Sequence, residues 1–205
     1  MKYIEFINNT LLNKYICKIQ KIWRNYQRIY LLKIEWTKNP IFNNSMIVKH
    51  KTAIQLKLSN TLEKKFGNNI INMKNNNQWT TKLSENLFKQ FMNKRGIKIW
   101  KPKKIHNFIP DWEDKNFIYE IKCRNWTTLG TAGEKVLGVP FKYSDISSNP
   151  RLYKKPLRII CIAFQEYELL NSNHNIFGYN LSPEKIIMIN MWKKMNIKFI
   201  RFSKL

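Results

Sequence analysis

The chain has 205 residues, 43% of them apolar, which excludes wholesale disorder and leaves room for one good core, or for one domain with an extra helical lobe. Its 37 Lys and Arg outnumber 13 Asp and Glu, for a formal net charge of +24. So large an excess opposes compaction through self-repulsion and fits a polyanionic partner, nucleic acid ahead of an anionic membrane surface.

From Tyr3 to about Trp36, apolar residues recur at helical spacing, as in Ile4, Ile7, Leu11, Tyr15, Ile19, Ile22, Tyr26 and Ile29. Lys14, Lys18, Lys21, Arg24 and Arg28 lie between them. The pattern predicts one long basic amphipathic helix, or two in series. Its apolar stripe reads as a packing surface, and its basic side as solvated or phosphate-facing. Charge interrupts the segment too often for a signal peptide or a membrane span. Asn39-Pro40 breaks the pattern. Lys51 to Phe66 reads helical again, with Gly67 as a C′ residue, and the asparagine-rich stretch Asn68 to Gln78 reads as a linker. Residues 1–75 are therefore expected to form a basic helical lobe, and residues 79–205 the main domain.

Thr81 is a candidate cap for a helix that runs to about Arg95 and stops at Gly96, with Leu83, Leu87, Phe88 and Phe91 as its inner stripe and Glu85 in its first turn. Ile97 to Lys101 reads as a short strand, and Lys103 to Asn107 as a basic connection. Ile109 to Lys122 (IPDWEDKNFIYEIK) then reads as a β-hairpin. With a turn over Glu113 to Asn116, Trp112 pairs with Phe117 and Asp111 with Ile118. Side chains alternate faces along a strand, so Ile118, Glu120 and Lys122 share one face, and Asp111 joins them. Asp111 then lies diagonally across from Glu120, at roughly 7 Å between Cβ atoms. Two carboxylates so placed can share a hard divalent cation, and a lysine one step along can hold a water or an oxyanion beside it. The competing reading is an exposed hairpin with a solvated Glu and Lys.

Beyond the hairpin, Gly130 to Lys135 forms a loop whose order Gly-Glu-Lys departs from a Walker A motif. A short helix is expected to start at Glu134 to Leu137. Its N–H groups are a candidate phosphate holder, with an ordinary loop-to-helix connection as the alternative. Arg124, Thr131, Gly133, Lys135 and Lys142 are the candidate DNA-binding residues. Pro140 to Pro156 reads as irregular. Leu157 to Phe164 (LRIICIAF) reads as a strand buried on both faces. Ser182-Pro183 marks a helix start, with Ile186, Ile189 and Trp192 inward. Ile197 to Phe202 alternates as a last strand. The expected architecture is α/β (α+β): a mixed sheet of about five strands flanked by helices.

The order Pro110-Asp111, eight residues, Glu120-Ile121-Lys122 resembles the active-site signature of the PD-(D/E)XK, or restriction-endonuclease-like, nuclease superfamily. The resemblance covers about Trp79 to Leu205. It implies an α-β-β-β-α-β core with its acids on the second and third strands, and often another acid on the first helix, for which Glu85 is the candidate. The run from Tyr119 through Gly130-Thr-Ala-Gly-Glu-Lys to Phe141-Lys-Tyr-Ser-Asp-Ile is similar to a subgroup of type II restriction endonucleases from bacteria and large DNA viruses. This resemblance implies a Mg²⁺-dependent enzyme, with Mn²⁺ as a substitute, that cuts both strands of double-stranded DNA as a homodimer. By carry-over, Asp111 and Glu120 hold the metal, Lys122 positions the attacking water, and Glu85 reaches the metal through water unless it only favours the helix dipole. No Gln-x-x-x-Tyr follows of the kind that RecB-like exonucleases show, since Gln165 is followed by Glu166 and Tyr167.

The three cysteines, Cys17, Cys123 and Cys161, form no CxxC pair, and His50, His106 and His174 are isolated. A disulfide framework, a zinc ribbon and a His-based site are thereby unsupported, and a reducing compartment such as the cytoplasm, with no membrane partner, is expected. Two alternatives to site-specific cleavage stay open: a structure-specific repair or junction nuclease, and a basic DNA-binding protein whose hairpin is inert.

Overall fold

The structure, a computed structural model, describes residues 2–38, 79–104, 108–123, 135–148, 155–171 and 173–205. The expectations for Lys51 to Phe66, for the asparagine-rich linker, and for Arg124, Thr131 and Gly133 lie outside those residues. The chain divides into two compact units, Met1–Trp36 and Thr37–Leu205.

The first unit is made by one helix, α1 (Lys2–Lys38), continuous where the sequence left one helix or two in series open. Its stripe is not a buried core: Tyr15 is 62%, Ile19 64%, Ile22 61% and Tyr26 43% exposed. Among the described residues no helix is long and apolar enough to cross a membrane.

The second unit is an α/β layer structure. Its described elements are α2 (Trp79–Lys94), β1 (Trp112–Glu113), β2 (Ile118–Lys122), α3 (Val139–Ser148), β3 (Leu157–Cys161), α4 (Phe164–Asn171), α5 (Pro183–Lys194), β4 (Ile197–Arg201) and a closing 3₁₀ turn (Phe202–Lys204). The sheet has four strands in the order β1-β2-β3-β4, with β1 antiparallel to β2 and the other pairs parallel. The fifth strand expected at Ile97 to Lys101 contributes only a bridge: Trp100 and Glu113 exchange two N–H···O bonds of 2.9 Å. Ladder pairing stops there because Glu113 is the last residue of a two-residue strand.

Register sorts the side chains. Ile118, Glu120 and Lys122 align with Leu157, Ile159 and Cys161, and these with Ile197, Phe199 and Arg201. On this face the sheet packs against Val139 and Tyr143 of α3, Leu169 of α4 and Trp192 of α5, with Trp192 tilted against Phe199 at 5.4 Å. The opposite face carries Tyr119 and Ile121, and Phe88 of α2 packs tilted against Tyr119 at 5.0 Å. Helices thus cover both faces, and β2 and β3 are buried from both sides, as the apolar run from Leu157 predicts for β3.

Three boundaries and one buried face differ from what the sequence predicts. Helix α2 begins at Trp79, so Thr81 is inside it rather than at its cap, and Glu85 falls in the second turn. Strand β3 ends at Cys161; Ala163 takes a left-handed φ of 54° and α4 starts in what looked like the tail of one apolar run. The segment after Pro140 is helical as α3, because proline is tolerated in a first turn, where its missing N–H has no partner to lose. In α5, Trp192 is buried but Ile186 is 47% exposed, since one narrow stripe suffices against β4. The start of α5 is as expected: the Ser182 side chain caps it, accepting from the Lys185 N–H, and Pro183 sits in the first turn.

Candidate active site

The hairpin carries four carboxylates, and the structure separates them into two jobs. Asp114 closes the turn. Its Oδ1 accepts from the N–H groups of Asn116 at 2.7 Å and Phe117 at 2.6 Å, and its Oδ2 accepts from the Tyr119 hydroxyl at 2.6 Å. Glu113 pairs with the Lys155 ammonium. Both acids are therefore consumed by the fold of the hairpin.

The turn so made spans Asp114 to Phe117, with the Asp114 N–H bonded to the Phe117 carbonyl at 2.9 Å. It moves the register: Trp112 pairs with Tyr119, not Phe117, and Glu113, not Asp111, pairs with Ile118. The slip is two residues, so it preserves which face each side chain takes. Asp111 lies just before β1, outside the paired residues. The Asp111 N–H donates to the Tyr119 carbonyl at 2.9 Å, and Asp111 Oδ2 accepts from the Ile121 N–H at 2.6 Å. The carboxylate is thereby tied to the backbone at the centre of β2.

Glu120 is 6% exposed in the middle of that strand. Its Oε1 accepts from the Lys122 ammonium at 2.6 Å, and its Oε2 accepts from the Tyr143 hydroxyl at 2.9 Å. The structure therefore gathers Asp111, Glu120 and Lys122, as the sequence predicted, and adds Tyr143 from α3. Glu85, 4% exposed on α2, accepts from the Lys101 ammonium at 3.0 Å. Its role as a first-turn acid does not hold, because it lies one turn further along and is buried. Lys135 is exposed, and the exposed Lys142 holds its ammonium 4.8 Å from the Tyr143 ring centroid and 5.2 Å from that of Phe108.

Electrostatics at the pair are unfavourable without a cation. Burial, and next the charge of Glu120, push the Asp111 carboxyl up from 3.8 to about 7; the charge of Glu85 adds to the rise, while the Ile121 N–H and the Lys122 ammonium oppose it. Burial and the same Glu120 charge push the Tyr143 phenol well above its ordinary range, so it serves as a hydrogen-bond donor. The Asp111 shift carries a pH dependence. Unfolded, this carboxyl releases its proton near 3.8, and folded it keeps it to about 7. Over that window the native state binds more protons, so stability falls as pH rises. Without divalent ions, the melting temperature is expected to drop between about pH 4 and pH 7 from this group, and Asp111→Asn should remove that component. Calorimetric scans across the range check it; an identical profile in the variant would contradict it.

Tyr143 is the site residue the sequence reading missed. Val139-Pro140 is a helix-start signal, and Tyr143, four residues after Val139, falls on the buried stripe such a helix would have.

Among the described residues no group of three His, Cys, Asp or Glu side chains converges as a preformed metal cage. Comparison of the chain with protein-family models, with curated proteins and with solved structures found no match.

Proposed function

We propose that the chain is a Mg²⁺-dependent DNA endonuclease of the restriction-endonuclease-like kind, cutting double-stranded DNA at a short sequence. The observation that carries this reading is the Asp111–Glu120 pair. Glu120 is buried on β2, Asp111 is half-buried just before β1, and burial, then the Glu120 charge, hold the Asp111 carboxyl far above its ordinary range. Such a pair is costly as structure and gains from a cation.

The donor set fits Mg²⁺ or Mn²⁺. Both prospective ligands are hard oxygens, and one or two carboxylates are the usual protein share for Mg²⁺, waters and phosphate oxygens supplying the rest. Held by Asp111 and Glu120, a cation would supply Lewis-acid chemistry to a water and a phosphoryl oxygen. Asp111, tied to the Ile121 N–H, offers a fixed oxygen donor. Lys122 brings a positive charge to the same face. Because it acts as a donor in an ion pair with Glu120, orientation and electrostatics are its assigned work rather than proton abstraction. Glu85, already engaged by Lys101, suits an outer position reached through water.

The net charge of +24 supplies the affinity for phosphates, and the exposed Lys135 and Lys142 are candidate contacts, Lys142 beside Tyr143. Duplex strands run antiparallel, so cutting both at one sequence asks for two centres related by a two-fold axis, which a homodimer provides.

Incubation of the purified chain with Mg²⁺ and long linear DNA tests the reading. Discrete fragments are expected. Cleavage confined to branched DNA would instead favour a junction nuclease, and retention on a gel without cleavage a non-catalytic DNA-binding protein.

A further inference from the structure

We infer that Tyr143 is a positioning residue for the metal site: its buried hydroxyl fixes the Oε2 side of Glu120, so that Oε1 is presented to the cation. This rests on the nuclease reading and goes beyond the three residues that the signature names.

The two hydrogen bonds on Glu120 are unlike each other. Lys122 donates to Oε1 from a flexible stem whose side chain is 27% exposed. Tyr143 donates to Oε2 from a residue that is 0% exposed, on α3, in the same buried cluster as Val139 and Ile159. Its ring is further packed against Phe108 at 5.7 Å. Of the two partners, only the ammonium can leave without opening the core. A divalent cation arriving at Glu120 therefore exchanges with one positive partner at Oε1, while the phenol keeps the carboxylate from turning.

The chemistry of the donor matters as well. A glutamate has a soft terminal torsion, so a carboxylate held at one oxygen only samples several orientations. A lysine or arginine in place of Tyr143 would hold it too, but would cancel the charge that attracts the cation. A neutral hydroxyl orients without neutralising. Groups that orient a metal-binding side chain in this way typically contribute about 10- to 100-fold to metal affinity.

The test is Tyr143→Phe, which keeps the ring and removes the hydroxyl. Melting temperature is followed against Mn²⁺ concentration for the full chain and for the variant. The expected result is a midpoint roughly 10-fold or more higher in Mn²⁺ for Tyr143→Phe. DNA affinity at saturating Ca²⁺ should be unchanged, and cleavage should be largely restored at saturating Mg²⁺. A variant with a lower metal-free melting temperature but the same Mn²⁺ midpoint would overturn the inference, since it would show a packing role only. If Tyr143→Phe is too unstable to titrate, Tyr143→Met, apolar and well suited to a helix, is read by the same two outcomes. If the wild-type chain shows no Mn²⁺-dependent rise, the nuclease reading itself fails and takes this inference with it.

Discussion

Asp111→Asn, Glu120→Gln and Lys122→Met should each lower DNA cleavage by about a thousand-fold while the chain stays folded, because each removes charge that acts on the transition state. The three changes should differ in their side effects. Asp111→Asn removes a carboxylate that burial and the Glu120 charge disfavour, so metal-free stability at neutral pH should rise. Glu120→Gln keeps a group able to accept from Tyr143 at Oε2 and weakens the partner of Lys122. Lys122→Met leaves Glu120 Oε1 without its ammonium, so it should bind the cation at least as readily and still fail to cleave. Loss of activity without loss of fold, measured by cleavage rate beside thermal melting, is the signature of a site. A variant among the three with full activity would remove its residue from the assignment.

The second large effect is expected in DNA affinity. A chain of net charge +24 that makes six or more phosphate contacts should show a slope of log K against log salt of roughly −5 or steeper. Between about 50 and 200 mM salt, affinity should then fall by about 10³-fold or more. Fluorescence anisotropy with a labelled duplex across a salt series measures the slope. Substituting Lys142, exposed at the N-terminal half of α3, should flatten it by about one contact if that side chain meets a phosphate. A flat plot would mean that the basic surface serves something other than nucleic acid.

The site was more legible in the sequence than the fold around it, and the reason is parity. A register that differs by an even number of residues keeps every strand residue on its face, and after the two-residue slip Asp111 still lies close enough to feel the Glu120 charge. The slip itself was hidden because the turn is set by the Asp114 side chain, which reaches two backbone N–H groups that no periodicity reports. Helix ends with strong chemistry were readable: Gly96 takes a left-handed φ of 73° just past α2, and Ser182-Pro183 opens α5. Helix α4 was not, because the break after β3 occurs at Ala163, within a run of apolar residues and without a glycine or proline to mark it. The stripe of α1 shows the limit of pattern reading. Periodicity identifies a helix and its apolar face, but says nothing of what covers that face, and in this chain Ile19 and Ile22 are exposed. Tyr143 was hidden for a related reason: its partner is on β2, more than twenty residues away, and long-range hydrogen bonds leave no local spacing.

The most direct test of the account is whether the Asp111–Glu120 pair is a divalent-cation site. Melting temperature is measured for the wild-type chain and for the double variant Asp111→Asn with Glu120→Gln, over a series of Mg²⁺, Mn²⁺ and Ca²⁺ concentrations with duplex DNA present. Because a cation that binds only the folded state stabilises it by RT ln(1 + [L]/Kd), the wild-type melting temperature should climb with each metal, by about 2.7 kcal/mol equivalent at a hundredfold excess over Kd. The double variant, which keeps the shape and removes the charge, should show no such climb. A wild-type chain whose melting temperature does not move at millimolar metal, or a double variant that climbs as the wild type does, would contradict the account and leave Glu120 and Lys122 as an ion pair of the hairpin alone.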